Sequence, residues 1–431
     1  MWPSRRGGGR ETAAGRARPR QKYSPSHRRR RTGVLTDRDV RRQAHLWLLP
    51  LLASALAHAF SSRARRDLAD LVLRAASERS SVTHARARCR RGTSDRHARR
   101  LLAFLDLGLT QRALTRALRE LAAPYVPQHP VDVAIDFHDI PYYGGPIDPK
   151  RPQFVKTQEA RGTHRAYHYA SLDLLLPHFR LTLSVRYLRQ RGGRHRAVLR
   201  ALADARRCGV QVRRLYLDRE FYEYATLSRL KAADYTVITP MRLGSRQRER
   251  WERGTRSYVT EHTLRDPRGV GEPLHLRVHV VVRYQAGKKW GKHGAQYLVY
   301  QVIGHVADEA IRDVPLRSTH TLYRRRFGIE TSYRLLGEAR AITTSRSPAV
   351  RLLYVGVALL LQDEWVILKL QWASEGRQGP SGFVVHEEVL PLTTLLELLR
   401  AAIERRLGSI LKIERQWRFP CRLRTVGVGP S

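Results

Sequence analysis

The chain has 431 residues, 42% of them hydrophobic, with 80 Lys and Arg against 38 Asp and Glu and a formal net charge of +42. That length suits two or three domains with a real core, and the charge calls for a polyanionic partner, nucleic acid first. Three scattered cysteines, Cys89, Cys208 and Cys421, exclude a disulfide framework or a zinc cluster, and the most apolar stretch, residues 44–60, is too short for the roughly 20 residues of a membrane span and is broken by His45, Pro50 and His58.

Residues 1–35 are rich in Arg, Gly and Ser and lack a hydrophobic period. They read as a disordered basic arm, lying on DNA phosphates or simply solvated. Their start is basic without the apolar centre of a signal peptide. The expectation is a cytoplasmic, nucleoid-associated protein with no membrane partner.

Residues 36–125 are helical by period: Leu46, Leu49, Leu52, Leu56 and Phe60, then Leu68, Leu71 and Leu73, then Leu101, Leu102 and Leu105. This region is expected to be a DNA-binding domain. Within it, residues 109–116 follow Gly108 and a helical run, which fits either a helix-turn-helix or plain helix packing.

A Pro-rich joint at residues 124–130 ends the helical region. Strands are predicted at 131–136, 167–176 and 179–188, a helix at 195–208 capped by Gly209, a strand at 212–217, a helix at 222–233 and a strand at 235–239. Three strands, helix, strand, helix, strand is the order of a ribonuclease-H-like fold. The fold class is therefore α/β, an RNase-H-like catalytic core over 131–370, preceded by an all-helical N-terminal domain. A β-rich insertion is predicted at about 240–315, with strands at 274–284 and 296–306. Helices follow at 320–337 and 349–370. A helical and basic tail, 371–431, carries a last helix at 393–407.

Chemistry sits at the carboxyl ends of strands in α/β sheets. Asp136 and Asp218 are expected there. The third acid comes from Tyr323, Arg326 and Glu330, spaced Y-x2-R-x3-E. On one continuous helix they share a face, which Arg334 extends. Such a face suits a metal on a phosphate, with Glu330 giving an oxygen, the arginines neutralising phosphate and the phenol donating to it. An exposed helix with an ordinary Arg–Glu pair has the same spacing. Three carboxylates from separate elements would serve two Mg2+ ions, with Mn2+ as a substitute. His138, His164 and His168 lie near the first strands and are assigned supporting roles.

The segments 136–144 (DFHDIPYYG), 216–221 (YLDREF) and 323–334, with 162–172, 343–346 and 351–365, resemble the DDE insertion-sequence transposases of the Y-R-E-K signature, the insertion sequence type four family. The likeness spans about residues 131–367. It implies a catalytic core split by a β insertion between the second Asp and the Glu. It further implies Mg2+-dependent cleavage at transposon inverted-repeat ends, strand transfer into target DNA, and a homodimer in the DNA complex. Asp136, Asp218 and Glu330 match the three acids; Tyr323 and Arg326 match the first two signature letters. The signature Lys falls on Gly337, leaving Arg334 or Arg340 to hold phosphate. Trp290, after Lys288 and Lys289, lies in the region where relatives stack a Trp on a flipped base, but its offset matches no motif and plain aromatic packing is the first reading of it. A nuclease without strand transfer and an inactive basic DNA-binding relic are the competing functions.

Overall fold

The computed structural model describes residues 34–57, 60–150, 152–160, 162–189, 193–284, 295–303, 314–376, 383–386 and 388–408. The basic arm over 1–33, Trp290 and the end of the tail lie outside the described residues.

Five helices come first: α1 (Asp37–Ala55), α2 (Ser62–Ser77), α3 (Val82–Ala87), α4 (Asp95–Ala103) and α5 (Leu107–Ala122). Each starts where a short polar side chain turns back to cap free backbone N–H groups. The caps are Thr36, in a reciprocal pair with Asp39, then Ser61, Ser81, Ser94 and Asp106. In the apolar stretch that begins at Ala44, the side chains of Ala44, Trp47, Leu48, Leu51, Leu52 and Ala55 form the buried side of α1, and Leu46 is exposed. No described helix is long and apolar enough to cross a membrane.

The sheet follows: β1 (Val131–Pro141), β2 (Val155–Ala160), β3 (Thr163–Leu175), β4 (Arg180–Leu188), then α6 (Arg194–Arg207), β5 (Val212–Leu217), α7 (Tyr224–Ala232) and β6 (Val237–Pro240). β1, β3 and β4 pair antiparallel; β5 and β6 run parallel to β1. The order β4-β3-β1-β5-β6 is that of the ribonuclease-H-like core. β2 is an addition to the expected set, pairing with the first part of β3.

The insertion holds α8 (Ser245–Trp251), β7 (Tyr258–Leu264), β8 (Leu274–Tyr284) and β9 (Ala295–Ile303). It continues the central sheet. β9 pairs antiparallel with β6, β8 with β9, and β7 with β8. β7 is a second addition to the expected set, because its seven residues mix apolar and polar side chains and no apolar run marks them.

The predicted helix at 320–337 is two helices, α9 (Leu316–Arg324) and α10 (Gly328–Glu338), joined by a 3-10 turn at Arg325–Phe327. Gly328 opens α10, where a helix-disfavouring residue interrupts the period. The expectation that Tyr323, Arg326 and Glu330 share a face of one continuous helix is thereby corrected.

α11 (Pro348–Trp372) is almost wholly buried, and a small hairpin of β10 (Ser374–Gly376) and β11 (Phe383–Val385) precedes α12 (Leu392–Leu407). One apolar core runs from Val40 in α1 to Leu407 in α12, and includes α2, α5 and α11. Each large aliphatic side chain buried in it contributes about 1.5–3 kcal/mol. Gly356 of α11 faces Leu114 of α5 so closely that a Cβ there would overlap the leucine side chain. A second core lies under β1, β3, β4 and β5 against α6 and α7. Arg406 of α12 reaches Asp67 and Asp70 of α2, so the two ends of the described chain share polar contacts as well.

Mid-way along α11, Gln362, Asp363 and Glu364 are buried after a long apolar run. Asp363 accepts from the Thr182 backbone N–H at 3.0 and 3.1 Å, beside the irregularity where β3 and β4 slip register. It supplies the partner that the ladder lacks there. Glu364 accepts from Trp47 Nε1 at 2.8 Å, tying α11 to α1.

Candidate active site and nucleic-acid surface

Asp136 does not end its strand. β1 continues to Pro141 against β3, while its parallel pairing with β5 stops at Ile135 opposite Leu217. Asp136 and Asp218 are therefore the first residues past the last parallel pair, where the two strands diverge. This is the carboxyl-end position the sequence pattern anticipates, reached by loss of pairing rather than by a strand end.

Arg326, in the 3-10 turn, spans the two acids. Its Nη1 is 2.8 Å from Asp136 Oδ2 and its Nη2 is 3.5 Å from Asp218 Oδ1. Arg326 is 5% exposed, and its guanidinium carbon sits 5.3 Å from the centre of the Tyr323 ring. Arg325, one residue earlier, reaches Asp132 at 3.4 Å, and Asp132 also meets Arg213 at 2.8 Å. Two consecutive arginines thus lie over two acids four residues apart on β1, which point to the same face.

Burial pushes the Asp136 carboxyl up to about 7. The Arg326 charge opposes that shift, and the neighbouring Asp218 and Asp173 charges add to it. Apart from Arg326, Asp136 Oδ1 accepts from the Phe137 N–H at 2.9 Å. A carboxylate held this way, short of donors and next to a second carboxylate, is a strong candidate for a cation ligand.

Tyr323 is 3% exposed, its ring 5.1 Å from Tyr300. Its hydroxyl is pushed up by burial, against the pull of Arg326. The phenol is part of the packing around Arg326, and its position there does not present it to solvent. Arg334 is exposed and Arg340 half-buried. Glu330 lies on α10, and its side chain is outside the described residues. Among the described residues no group of three or more His, Cys, Asp and Glu side chains forms a metal cluster.

α10 is anchored beside the acids by Tyr333. Its ring stacks on His138 at 4.5 Å, and its hydroxyl is 2.8 Å from Ser171 Oγ. Ser171 donates to Asp173 at 3.1 Å, and Thr182 donates to the other Asp173 oxygen at 2.8 Å. Burial raises Asp173 to about 6 and lowers His138 to about 4, with the Arg340 charge adding to the His138 shift. His168 Nδ1 lies 2.5 Å from Asp139 Oδ1, and His164 is exposed. Sequence reasoning missed Ser171 and Asp173. The available signal was an acid alone in the apolar run of β3, two residues from a serine and on the same face.

Residues 109–116 belong to α5, which packs on α1, α11 and β4. Gln111 accepts from the Tyr187 N–H at 3.2 Å and donates to the Val185 carbonyl. This is the packing alternative for that segment. Basic exposure is greater on α4, where Arg96, Arg99 and Arg100 face solvent. Phe104, 55% exposed, lies beside them with the Arg100 guanidinium 5.9 Å from its ring. Arg99 pairs with Asp95 at 2.7 Å. Like charges at i and i+4, as in Arg96 and Arg100, weaken a free helix, and an anion removes that penalty.

No family model matches the chain, and no curated protein matches it. Among solved structures it is similar to the cryo-EM structure of piggyBac transposase in a synaptic complex with hairpin DNA, at 11% identity and a TM-score of 0.46, over 91% of this chain and 84% of that one.

Proposed function

We propose that this chain is a DDE-type DNA transposase of the insertion sequence type four branch, which cuts DNA at transposon ends and joins the ends to target DNA. The observation that carries the reading is the meeting of Asp136 and Asp218, from neighbouring parallel strands, at one buried guanidinium. Two aspartates at the divergence point of an RNase-H-like sheet, with a glutamate a few residues beyond that guanidinium on the covering helix, match what phosphoryl transfer on DNA requires.

The donor set fits divalent magnesium. It is made of carboxylate oxygens, one of them raised to about 7 by burial and a neighbouring charge, and so stabilised by a bound cation. Asp136, Asp218 and Glu330 would hold Mg2+, or Mn2+ in its place. When bound, the ions supply Lewis-acid activation of the attacking oxygen and neutralise the leaving one. The chain's own contribution is orientation. β1 and β5 fix the two aspartates, Tyr333 fixes the height of α10, and Arg326, Arg334 and Arg340 neutralise phosphate. The helices of 36–125 bind DNA through their exposed arginines, and two protomers hold two ends.

The test is cleavage and joining of the element's own terminal DNA, with Mg2+ or EDTA, by wild type and by Asp136→Ala, Asp218→Ala and Glu330→Ala. Metal-dependent nicking and joining that each variant loses, while still binding DNA, is the expected result. Cleavage by Asp136→Ala at the wild-type rate would overturn the assignment. Cutting without joining or end preference would make the chain a nuclease, and binding alone a relic.

A further inference from the structure

We infer that Arg326 is a built-in competitor of the metal at Asp136 and Asp218, so that loading the cation and capturing a phosphate are two halves of one exchange. The inference rests on the catalytic reading above, and it concerns how the site is switched rather than what it catalyses.

The geometry leaves little room for both cations on the same oxygens. Asp136 Oδ1 accepts from the Phe137 N–H at 2.9 Å, and Oδ2 holds Arg326 Nη1 at 2.8 Å. The other arm of the fork lies 3.5 Å from Asp218 Oδ1. Mg2+ binds carboxylate oxygen at roughly 2.0–2.1 Å and tolerates little distortion. An ion at that distance from Oδ2 meets the guanidinium across a buried, low-dielectric gap, where like charges repel strongly. The guanidinium must therefore withdraw as the ion enters.

Where it goes is limited by its surroundings. Arg326 is buried beside Tyr323 on the 3-10 turn between α9 and α10. A short turn can shift a side chain without unfolding either helix. Once parted from the carboxylates, the buried guanidinium needs another anion. A phosphodiester oxygen suits it, because the planar fork matches phosphate as well as carboxylate. Without phosphate, metal entry strands a buried positive charge; with it, the charge is met. The two ligands must then favour each other by the same factor in both directions.

The measurement is Mn2+ binding to the full chain, followed by the electron paramagnetic resonance signal of free Mn2+. It would be made for wild type, Arg326→Gln, Arg326→Lys and Asp136→Asn, in sodium chloride and in sodium sulfate at matched ionic strength, with sulfate standing in for the phosphodiester. We expect Arg326→Gln to bind Mn2+ on the order of tenfold more tightly than wild type in chloride, with Arg326→Lys between them. Sulfate should tighten binding to wild type and leave Arg326→Gln unchanged, and Asp136→Asn should lose the site in every case. Equal or weaker Mn2+ binding by both Arg326 variants, with the dependence on Asp136 retained, would overturn the exchange and leave the catalytic reading standing. Mn2+ binding that ignores Asp136 would overturn both. Circular dichroism melts of the variants separate a lost fold from a lost site, and the lysine variant keeps the test alive if the glutamine variant is unstable.

Discussion

Among the buried aspartates that face arginine, Asp70 and Asp136 are held in opposite ways. Asp70 of α2 is completely buried, with the Arg41 Nε and Nη2 each at 2.8 Å, His45 Nε2 at 2.8 Å and Arg406 from the far end of the described chain. Burial alone would raise its pKa, but the hydrogen bonds and charges of His45 and Arg41 bring it below the usual carboxylate range. Asp136 has one guanidinium and one backbone N–H, and a second acid beside it, and it rises to about 7. The donors and positive charges around each carboxylate decide the direction of its shift, downward for Asp70 and upward for Asp136.

Neutralising each acid in turn should separate the two most widely. Asp136→Asn is expected to reduce DNA cleavage by roughly 10⁴-fold or more and to cost less stability than Asp70→Asn, since the native carboxyl is already raised to about 7 and Arg326 keeps Asp218 as a partner. Asp70→Asn should do the reverse. It breaks a buried network and leaves arginine charge uncompensated, at a loss of about 3–5 kcal/mol, with cleavage per folded molecule unchanged. Urea melts and a cleavage assay on the same preparations check both. If Asp70→Asn proved as stable as wild type, the donors and charges around Asp70 would not be what sets it apart from Asp136.

A charge reversal on the outer face gives a smaller and differently shaped effect. Arg96→Glu, Arg99→Glu and Arg100→Glu together should flatten the salt dependence of DNA binding by about 0.9 for each phosphate that these arginines no longer neutralise, with little effect on stability. Fluorescence anisotropy from low to moderate salt reads the slope. An unchanged slope would move the DNA surface away from α4. Gly356→Ala should cost about 1–3 kcal/mol through overlap with Leu114, which a thermal melt detects without any change in the site.

The pH dependence sharpens the comparison last and most finely. Asp136 binds its proton more tightly when folded, so it adds stability below its ordinary 3.8 and that contribution is lost as pH rises through about 7. Asp70 has the opposite sign. Its stabilisation is present above 3.8 and is lost as pH falls through its depressed folded value. In metal-free protein, carbon-13 carboxyl shifts should show one aspartate titrating near pH 7 that is absent in Asp136→Asn. A midpoint near 4 for that residue would remove the contrast.

Much of the core was legible because its signals are local. The alternation of β4 and the periods of α5 and α11 each lie within one segment, and Asp136 and Asp218 each follow an apolar strand run. The order of strands and helices was enough for the RNase-H-like class. What escaped is what depends on partners distant in sequence. The 3-10 turn at Arg325–Phe327 docks two arginines on Asp132 and Asp136, and although Gly328 marks the break, no helical period records those contacts. The role of Asp173 depends on Ser171, Thr182 and a tyrosine in α10. The junction of β9 with β6 turns an insertion into an extension of the sheet through backbone pairing alone, and pairing leaves no mark on side-chain pattern.

The core that joins α1 to α12 also has a consequence in time. The N-terminal helices cannot complete their packing, nor Asp70 acquire Arg406, until the ribosome has released residue 407. At ordinary synthesis rates that interval is roughly 20–70 s. In its last part, once residue 303 has been made, the RNase-H-like sheet has all its strands while the helical layer is still short of its last member. The protein is built so that its central sheet precedes its closure, and a chain that stops early exposes the apolar faces of α1 and α2 that α12 would have covered.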